Sequence, residues 1–283
     1  MFYVANWHFI LIGSNYFTLT SLPSLLTHTW SLAIEEQFYL LWPLIVLGVL
    51  KFTGRLWALL AVSVVGALAS AAEMALLFRH GVGTTRLYYG TDTHGQCLLV
   101  GAALASGLAI FARRRSAAAP TRARRAPGGN PAWAASSRWA RALLSVLGGA
   151  GVVGAGLLWW RSSYNGSFLW EGGFFVAALA TAAILVCVVC APRSWLAIAL
   201  SVSPLRYLGR ISYGLYLWHF PLFQWIDGQR TGLDGYALFG ARGGATLAVA
   251  TASFYLVERP IRQGALFRHR RAWVCLLYTS RCV

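Results

Sequence analysis

Long apolar segments alternate with short polar segments along the whole chain. A helix needs about 20 residues to cross the hydrocarbon core of a bilayer. The apolar segments that approach this length are 31–50, 56–78, 95–111, 142–160, 172–190, 211–226 and 236–257, and 2–17 is a weaker one with more polar groups. The pattern predicts an all-α fold, a polytopic transmembrane helical bundle with about seven or eight spans.

Composition excludes a soluble globular domain. Of the 283 residues, 58% are hydrophobic and 11% are charged, and the mean hydropathy is +0.58. Soluble domains carry about 25% charged residues. So few charges cannot cover so apolar an interior, and we expect lipid to be the solvent for most of the chain.

The net charge of +16 follows membrane topology and does not indicate nucleic-acid binding. With the C-terminus placed in the cytoplasm, most of the 24 Lys and Arg residues fall in loops on the cytoplasmic side, as the positive-inside rule requires. Most acidic residues fall on the outer side. We therefore expect membrane lipids as partners and no nucleic acid.

One long polar segment, 112–141, interrupts the apolar pattern and is rich in Arg, Ala, Pro and Gly. We expect a flexible cytoplasmic linker that touches anionic headgroups. It is too short to build a hydrophobic core of its own.

Small residues four apart predict close helix packing in two of the spans. The pairs are Ala150 with Gly154, Gly151 with Ala155, and Gly101 with Ala105. Cys187 and Cys190 also share a helix face, but no second ligand pair follows them. We read them as small buried hydrophobes and expect no metal site.

The segment 28–43 places two adjacent carboxylates, Glu35 and Glu36, near the start of an otherwise apolar helix. Ser31 is a candidate cap for that helix. Ionisable groups at this depth are costly and usually face protein or a wet cavity. The alternative is a helix start at the membrane interface.

Two further features of this segment bear on function. Tyr39 lies one turn below Glu35 on the same helix face. Pro43 is expected to kink the helix and to free a carbonyl. In the structural alternative, Trp30 and Trp42 anchor the helix at the interface.

Four blocks, in this order, resemble the acyltransferase-3 family of bacterial membrane O-acyltransferases. The first is 28–43, His-Thr-Trp-Ser-Leu-Ala-Ile-Glu-Glu-Gln-Phe-Tyr-Leu-Leu-Trp-Pro. The second, 88–101, contains Thr-Asp-Thr before a helix and has His94 where the family has arginine. The third is 209–221, Gly-Arg-Ile-Ser-Tyr-Gly-Leu-Tyr-Leu-Trp-His-Phe-Pro, and the fourth is 257–262, Val-Glu-Arg-Pro-Ile-Arg.

The resemblance implies an enzyme of the bacterial plasma membrane that transfers an acyl group, often acetyl. The donor would be a cytoplasmic thioester such as acetyl-CoA, which is a co-substrate, and no cofactor is expected to stay bound. The acceptor would be a hydroxyl of a surface glycan or lipid-linked sugar. Such chemistry requires a base, donors for the oxyanion and exclusion of water.

The resemblance also implies domain limits and a departure from the family. It assigns 1–262 to the transmembrane domain and 263–283 to a cytoplasmic tail, which matches nothing in the family after Arg271 and looks like readthrough. The family's base is a histidine on the first membrane helix, with an arginine about three turns before it. This chain has no such pair, so we expect two further helices, with the base, upstream of Met1.

The candidate site residues come from these blocks. Proposed catalytic residues are His28, Glu35, Glu36 and His219. Proposed substrate contacts are Trp30, Tyr39, Asp92, Thr93, Arg210 and Tyr213. Some alternatives are open: His219 is either functional or a core histidine, Asp92 orients the acceptor or caps a helix, and Arg210 meets donor phosphates or obeys the positive-inside rule.

Two other functions compete with acyl transfer. Intramembrane carboxylates and a proline-broken helix also suit a transporter or exporter, although we see no internal repeat. A non-catalytic fragment of the acyltransferase is the third interpretation. The charge asymmetry favours a two-sided site, with the donor on the basic cytoplasmic face and the acceptor on the acidic outer face.

Overall fold

A computed structural model describes residues 2–13, 25–118, 137–161 and 166–263, and within these ranges the chain is helical and has no strand. The all-α prediction is confirmed. The helices are α1 (Ala5–Leu11), α2 (Trp30–Thr53), α3 (Leu56–Arg79), α4 (Thr84–Tyr89), α5 (Thr91–Ala118), α6 (Arg138–Arg161), α7 (Phe174–Cys190), α8 (Trp195–Leu200), α9 (Ser203–Trp225), α10 (Gly228–Thr231), α11 (Gly235–Ser253) and α12 (Arg259–Arg262).

Among the described residues, five helical segments are long and apolar enough to cross a membrane. They are Thr27–Thr53, Leu56–Arg79, Thr84–Ala117, Arg138–Arg161 and Leu169–Cys190. The predicted spans 211–226 and 236–257 are also helical, but they are not among the five. Helix α9 carries Arg206 and Arg210, and α11 carries Arg242 among several glycines, so both are less apolar.

Some predicted boundaries need correction. Helix α5 continues to Ala118 and α6 begins at Arg138, so both ends of the predicted linker 112–141 are helical, and 119–136 lie outside the described residues. Of the weaker segment 2–17, the described residues 2–13 contain a 3₁₀ turn, Phe2–Val4, and the short α1, which alone cannot cross a bilayer; residues 14–17 lie outside the described ranges. The predicted tail lies outside the described ranges from residue 264 onward.

Helix α2 begins one residue earlier than its predicted cap. A 3₁₀ turn, Thr27–Thr29, leads into Trp30, so Ser31 lies inside the first turn and is not the capping residue. The helix continues through Pro43 to Thr53. Since proline has no N–H, the carbonyl of Tyr39, four residues earlier, lacks its usual helical donor.

The chain divides into two units, Met1–Thr18 with Trp30–Ser201, and Leu19–Thr29 with Val202–Val283. In the first unit, α3 packs along α5, and α6 packs along α7. One buried cluster joins Phe9, Trp30, Ile34 and Tyr89, and a second joins Met74, Leu87 and Trp170. In the second unit α9 packs along α11, where Gly214 lies against the backbone of Ala250.

The predicted small-residue face of α6 packs closely against α7. A Cβ at Gly151 would lie 2.7 Å from the Ala180 carbonyl oxygen, so only glycine permits this approach. Cys187 is buried at the same interface, beside Gly148. The prediction is wrong for Gly101, which faces open space.

Candidate functional site

A cavity of about 580 Å³ lies in the first unit between α2, α3 and α5. Most of its lining is apolar, including Phe38, Trp42 and Leu99. Its polar lining consists of Gln37, Ser70, Glu73, Thr91 and Asp92. Because Thr91 and Asp92 open α5 and Leu99 follows two turns later, about 10 Å along the axis, the cavity has one polar and one apolar end.

Asp92 is the centre of the charge cluster at the polar end. The Arg86 guanidinium donates through Nη1 to Oδ1 of Asp92 at 2.9 Å and through Nη2 to Oδ2, a bidentate pair. The carboxyl group of Glu73 lies near this pair and interacts electrostatically with both Asp92 and Arg86. Two carboxyl groups and one guanidinium thus form the cluster, and carboxyl oxygens accept hydrogen bonds.

Backbone contacts fix the position of Asp92. The Ser70 hydroxyl donates to the Asp92 carbonyl and accepts from the backbone N–H of Gln96 at 2.9 Å. Gly90 lies close beside the Arg86–Asp92 pair, where a Cβ would come within 2.1 Å of Arg86 Nη1. The first turn of α5 is therefore held against α3 by the hydrogen bonds of Ser70.

A ring of three hydrogen bonds stands next to this cluster. The Asn6 amide donates to the Thr91 hydroxyl at 2.9 Å, and that hydroxyl donates to Gln37 Oε1 at 2.6 Å. The Gln37 amide donates to Asn6 Oδ1 at 3.0 Å and closes the ring. Asn6 also donates to the Tyr89 carbonyl at 2.9 Å and is fully buried. The ring joins α1, α2 and α5.

The predicted carboxylates of α2 do not line the cavity. The cavity face of α2 carries Ile34, Gln37, Phe38, Leu41, Trp42 and Ile45. Glu35 and Glu36 are half-buried elsewhere on the helix and form no hydrogen bond or ion pair within the described ranges. Tyr39 is 52% exposed. At this helix, Gln37 is the residue that the structure brings to the polar end.

The side chains of Trp30 and Thr93 are buried and make contacts within the protein. Trp30 is buried, with its ring 4.5 Å from Tyr88 and 5.3 Å from His94, measured between centroids. The Thr93 hydroxyl is fully buried and donates to the Leu87 carbonyl at 2.8 Å, with the Gly90 carbonyl as a second acceptor at 3.1 Å for the same proton. Both predicted substrate contacts thus lie behind the cavity wall, where they support α4 and α5.

In the second unit His28 and His219 lie together. Their ring centroids are 5.4 Å apart, and Phe220 lies 4.9 Å from His28. His28 is only 2% exposed, and neither of its ring nitrogens has a hydrogen-bond partner among the described residues. The Tyr216 hydroxyl donates to the His28 carbonyl.

The backbone of α9 explains the surroundings of this pair. Pro221 deprives the Leu217 carbonyl of its helical donor, and this carbonyl lies near the His28 ring without full hydrogen-bonding geometry. Nδ1 of His219 is within hydrogen-bonding distance of the Tyr216 carbonyl. Because a carbonyl only accepts, Nδ1 carries the proton, and Nε2 of a neutral ring keeps its lone pair.

The remaining predicted contacts are exposed. Arg210 and Tyr213 lie on the surface of α9, outside the His28–His219 pair. No group of three or more His, Cys, Asp or Glu side chains in the described part of the chain is placed to hold a metal ion.

Sequence reasoning missed Asn6, Gln37, Glu73 and Arg86. A signal existed for Gln37, because positions 34, 37, 38, 41, 42 and 45 form one stripe at helical spacing. Arg86 falls on the predicted outer side and has no role in the sequence analysis, although an arginine six residues before Asp92 is a candidate partner for an ion pair. Nothing in the local sequence indicates that Asn6 contacts α5.

Comparison with known proteins gives a family. The acyltransferase-3 family model, described as an acyltransferase domain, matches residues 1–257. The putative peptidoglycan O-acetyltransferase YrhL of Bacillus subtilis is 35% identical over 97% of the chain, and the peptidoglycan O-acetyltransferase OatA of Listeria monocytogenes is 35% identical over 95%. The O-acetyltransferase OatA of Staphylococcus aureus is 30% identical over 93%.

The match covers only part of those relatives. The chain spans 40% of the length of each of these three proteins. No solved structure matches the chain.

Proposed function

Since the chain belongs to the acyltransferase-3 family, we propose that it forms the membrane part of an O-acyltransferase. It would transfer an acyl group, acetyl in the simplest case, from a cytoplasmic thioester such as acetyl-CoA to a hydroxyl of a cell-surface glycan or lipid-linked sugar. The names of the relatives support a peptidoglycan-type acceptor and an acetyl group.

The observation that supports an acceptor-binding site is the cavity of the first unit, which has carboxyl groups at its polar end. Sugar hydroxyls donate hydrogen bonds, and the carboxyl oxygens of Asp92 and Glu73 accept them. The apolar end suits an acyl chain or the lipid part of a lipid-linked acceptor. Arg86 holds Asp92 in one orientation, so the acceptor would meet a preorganised group.

The proposed reaction is a nucleophilic acyl transfer. The acceptor oxygen attacks the thioester carbonyl and loses its proton to a base, and the C–S bond then breaks to release the thiolate, which takes up a proton. Within the second unit, His219 is a candidate base on its own geometry, because its Nδ1–H is fixed on the Tyr216 carbonyl and Nε2 keeps its lone pair. His28 is the buried partner of that ring.

Acyl transfer is tested in membranes by following a radiolabelled acetyl group from acetyl-CoA to glycan. The chain is produced with any continuous coding sequence that precedes Met1. Asp92→Asn is expected to lower transfer about 10–100-fold, and His219→Gln about 100-fold or more. Asp234→Asn is the matched control, since Asp234 makes no side-chain cap bond and lies outside the cavity.

The same membranes distinguish acyl transfer from transport. Flux of unmodified glycan is measured beside acetylation in each variant. Lost acetylation with intact flux supports the enzyme. Lost flux with intact acetylation in Asp92→Asn would replace the proposed function by a carrier.

A further inference from the structure

A second, smaller pocket lies at one end of the α6–α7 hairpin, away from the cavity described above. Its volume is about 230 Å³, and its lining consists of Arg138, Arg141, Ala142, Ser145, Arg193 and Ser194. Arg138 and Arg141 belong to the first turn of α6, and Arg193 lies in the turn between α7 and α8. Three arginines from two segments about 50 residues apart thus line one pocket.

Within the described residues, none of these three arginines forms an ion pair; the ion pairs seen there are those of Arg79, Arg86, Arg230 and Arg262. No side-chain hydrogen bond to another described residue occupies the guanidinium groups of Arg138, Arg141 and Arg193, and no carboxylate is among the residues that line the pocket. Like charges that converge without a counter-ion repel one another, so an anion that enters the pocket relieves a cost of the fold.

The pocket also offers a hydroxyl donor. Ser194 Oγ accepts from the backbone N–H of Ala197 at 3.2 Å and from the Cys187 thiol at 3.4 Å. Both contacts use its lone pairs, so its own proton remains available. The Ser145 hydroxyl, by contrast, donates to the Arg141 carbonyl at 2.9 Å. Planar, multidentate guanidinium groups beside a hydroxyl match the oxygens of a phosphate.

Topology alone does not account for this arrangement. The positive-inside rule places arginines near the ends of spans, but it requires neither convergence on one concavity nor a serine with a free proton. Arg55 and Arg113, which also belong to the predicted cytoplasmic side, do not line this pocket.

We propose that the pocket of Arg138, Arg141, Arg193 and Ser194 is a phosphate-binding site. The phosphate is carried either by the headgroup of an anionic phospholipid or by a soluble phosphate-bearing molecule such as coenzyme A. The inference does not depend on the proposed acyl transfer, because binding is measured without turnover.

The two sources are separated by two binding measurements on the full chain. In one, coenzyme A is titrated by calorimetry into protein held in phosphatidylcholine nanodiscs. In the other, native mass spectrometry counts the phosphatidylglycerol retained by protein released from mixed phosphatidylcholine and phosphatidylglycerol nanodiscs.

Three proteins are compared. The pocket variant is Arg138→Gln with Arg141→Gln and Arg193→Gln. The control variant, Arg55→Gln with Arg113→Gln and Arg206→Gln, removes the same charge from outside the pocket. Loss of several charge-assisted hydrogen bonds is expected to weaken binding at least about tenfold in the pocket variant alone.

The outcome decides the source or overturns the site. Selective loss of retained phosphatidylglycerol assigns the site to a lipid headgroup, and selective loss of coenzyme A binding assigns it to a soluble phosphate. Equal binding by all three proteins, or no binding by the wild type in either measurement, overturns the proposal. If the pocket variant loses helical circular dichroism, the corresponding three-lysine variant replaces it, and weaker binding than that of the wild type is expected.

Discussion

The Gln37 amide donates to the side-chain oxygen of Asn6, 31 positions earlier in the sequence, at 3.0 Å and so ties α2 to α1. Thr91 completes the ring from α5. Every donor and acceptor of the Asn6 side chain is used, and none of it reaches solvent. This contact sets the position of Gln37 at the polar end of the cavity.

Asn6→Leu is expected to destabilise the protein by about 1–3 kcal/mol, because it leaves a buried carbonyl and the side chains of Thr91 and Gln37 with unmet hydrogen bonds. The measurement is chemical unfolding in detergent micelles, followed by circular dichroism. In a double-mutant cycle, Asn6→Leu and Gln37→Leu should be non-additive by about 0.5–3 kcal/mol.

Gln224→Leu is the matched control for this ring. Its Nε2 is buried and has no hydrogen-bond partner in the described part of the chain, so its replacement removes an unmet donor. We expect unchanged or slightly raised stability. Equal losses at Asn6 and Gln224 would contradict the ring as the source of the effect.

The Arg86–Asp92 pair makes a second prediction. Both side chains are about 30% exposed (27% and 32%), so the cost of breaking the pair should lie between about 1 kcal/mol for surface pairs and about 3–5 kcal/mol for buried ones. Arg86→Met alone or Asp92→Leu alone leaves one charge unpaired and lowers the midpoint of thermal unfolding.

The double substitution Arg86→Met with Asp92→Leu distinguishes stability from function. It removes both charges, so stability is expected to recover toward wild type while acetyl transfer stays lost. Recovery of transfer together with stability would show that Asp92 acts only through the fold.

Features set by local interactions could be predicted from the sequence, whereas features set by contacts between distant residues could not. Apolar periodicity located α2, α3, α6 and α7 to within a few residues, because each helix satisfies its own backbone hydrogen bonds in lipid. Family blocks drew attention to Asp92 and, separately, to His28 and His219, whose ring centroids lie 5.4 Å apart.

Long-range contacts were beyond such reasoning. Glu35 and Glu36 looked functional because two carboxylates stand side by side in an apolar helix. In the structure, α2 is rotated about its axis so that Gln37 faces the cavity. That rotation is fixed by packing against other helices. Glu73 looked unremarkable in α3 until α5 placed Asp92 against it. Which face of a helix lines the cavity was thus harder to predict than the helix itself.

Gly90 tests how tightly the polar end is packed. A methyl group there would meet Arg86 Nη1 at 2.1 Å, Thr93 Oγ1 at 2.6 Å and Asp92 Oδ1 at 2.7 Å. Gly90→Ala is therefore expected to cost about 1–3 kcal/mol and to disturb the ion pair. Unfolding is measured as for Asn6.

Gly101→Ala is the control for that substitution. Gly101 lies in the interior of α5 with nothing within 4 Å of the added methyl group, and alanine is the better helix former by up to about 1 kcal/mol. We expect equal or greater stability. If Gly90→Ala proves as well tolerated, the close approach at the start of α5 is not a constraint.

The last prediction concerns His28, whose replacement is expected to affect stability and activity in opposite ways. Its ring is buried among Tyr216, His219 and Phe220, and both nitrogens lack hydrogen bonds within the described ranges. A buried polar group without partners costs about 1–3 kcal/mol, so His28→Phe should leave stability unchanged or raise it. If the histidine is kept for chemistry, the same variant loses acetyl transfer.

His94→Phe is the comparison that gives this result its meaning. His94 is another largely buried histidine with an unpartnered Nδ1, packed against Trp30, Tyr88 and Phe174. Its replacement should leave acetyl transfer intact at equal or greater stability. Loss of transfer in His28→Phe alone would assign a catalytic part to the His28–His219 pair, whereas full activity in both variants would reduce His28 to a packing residue and leave the base to be sought elsewhere.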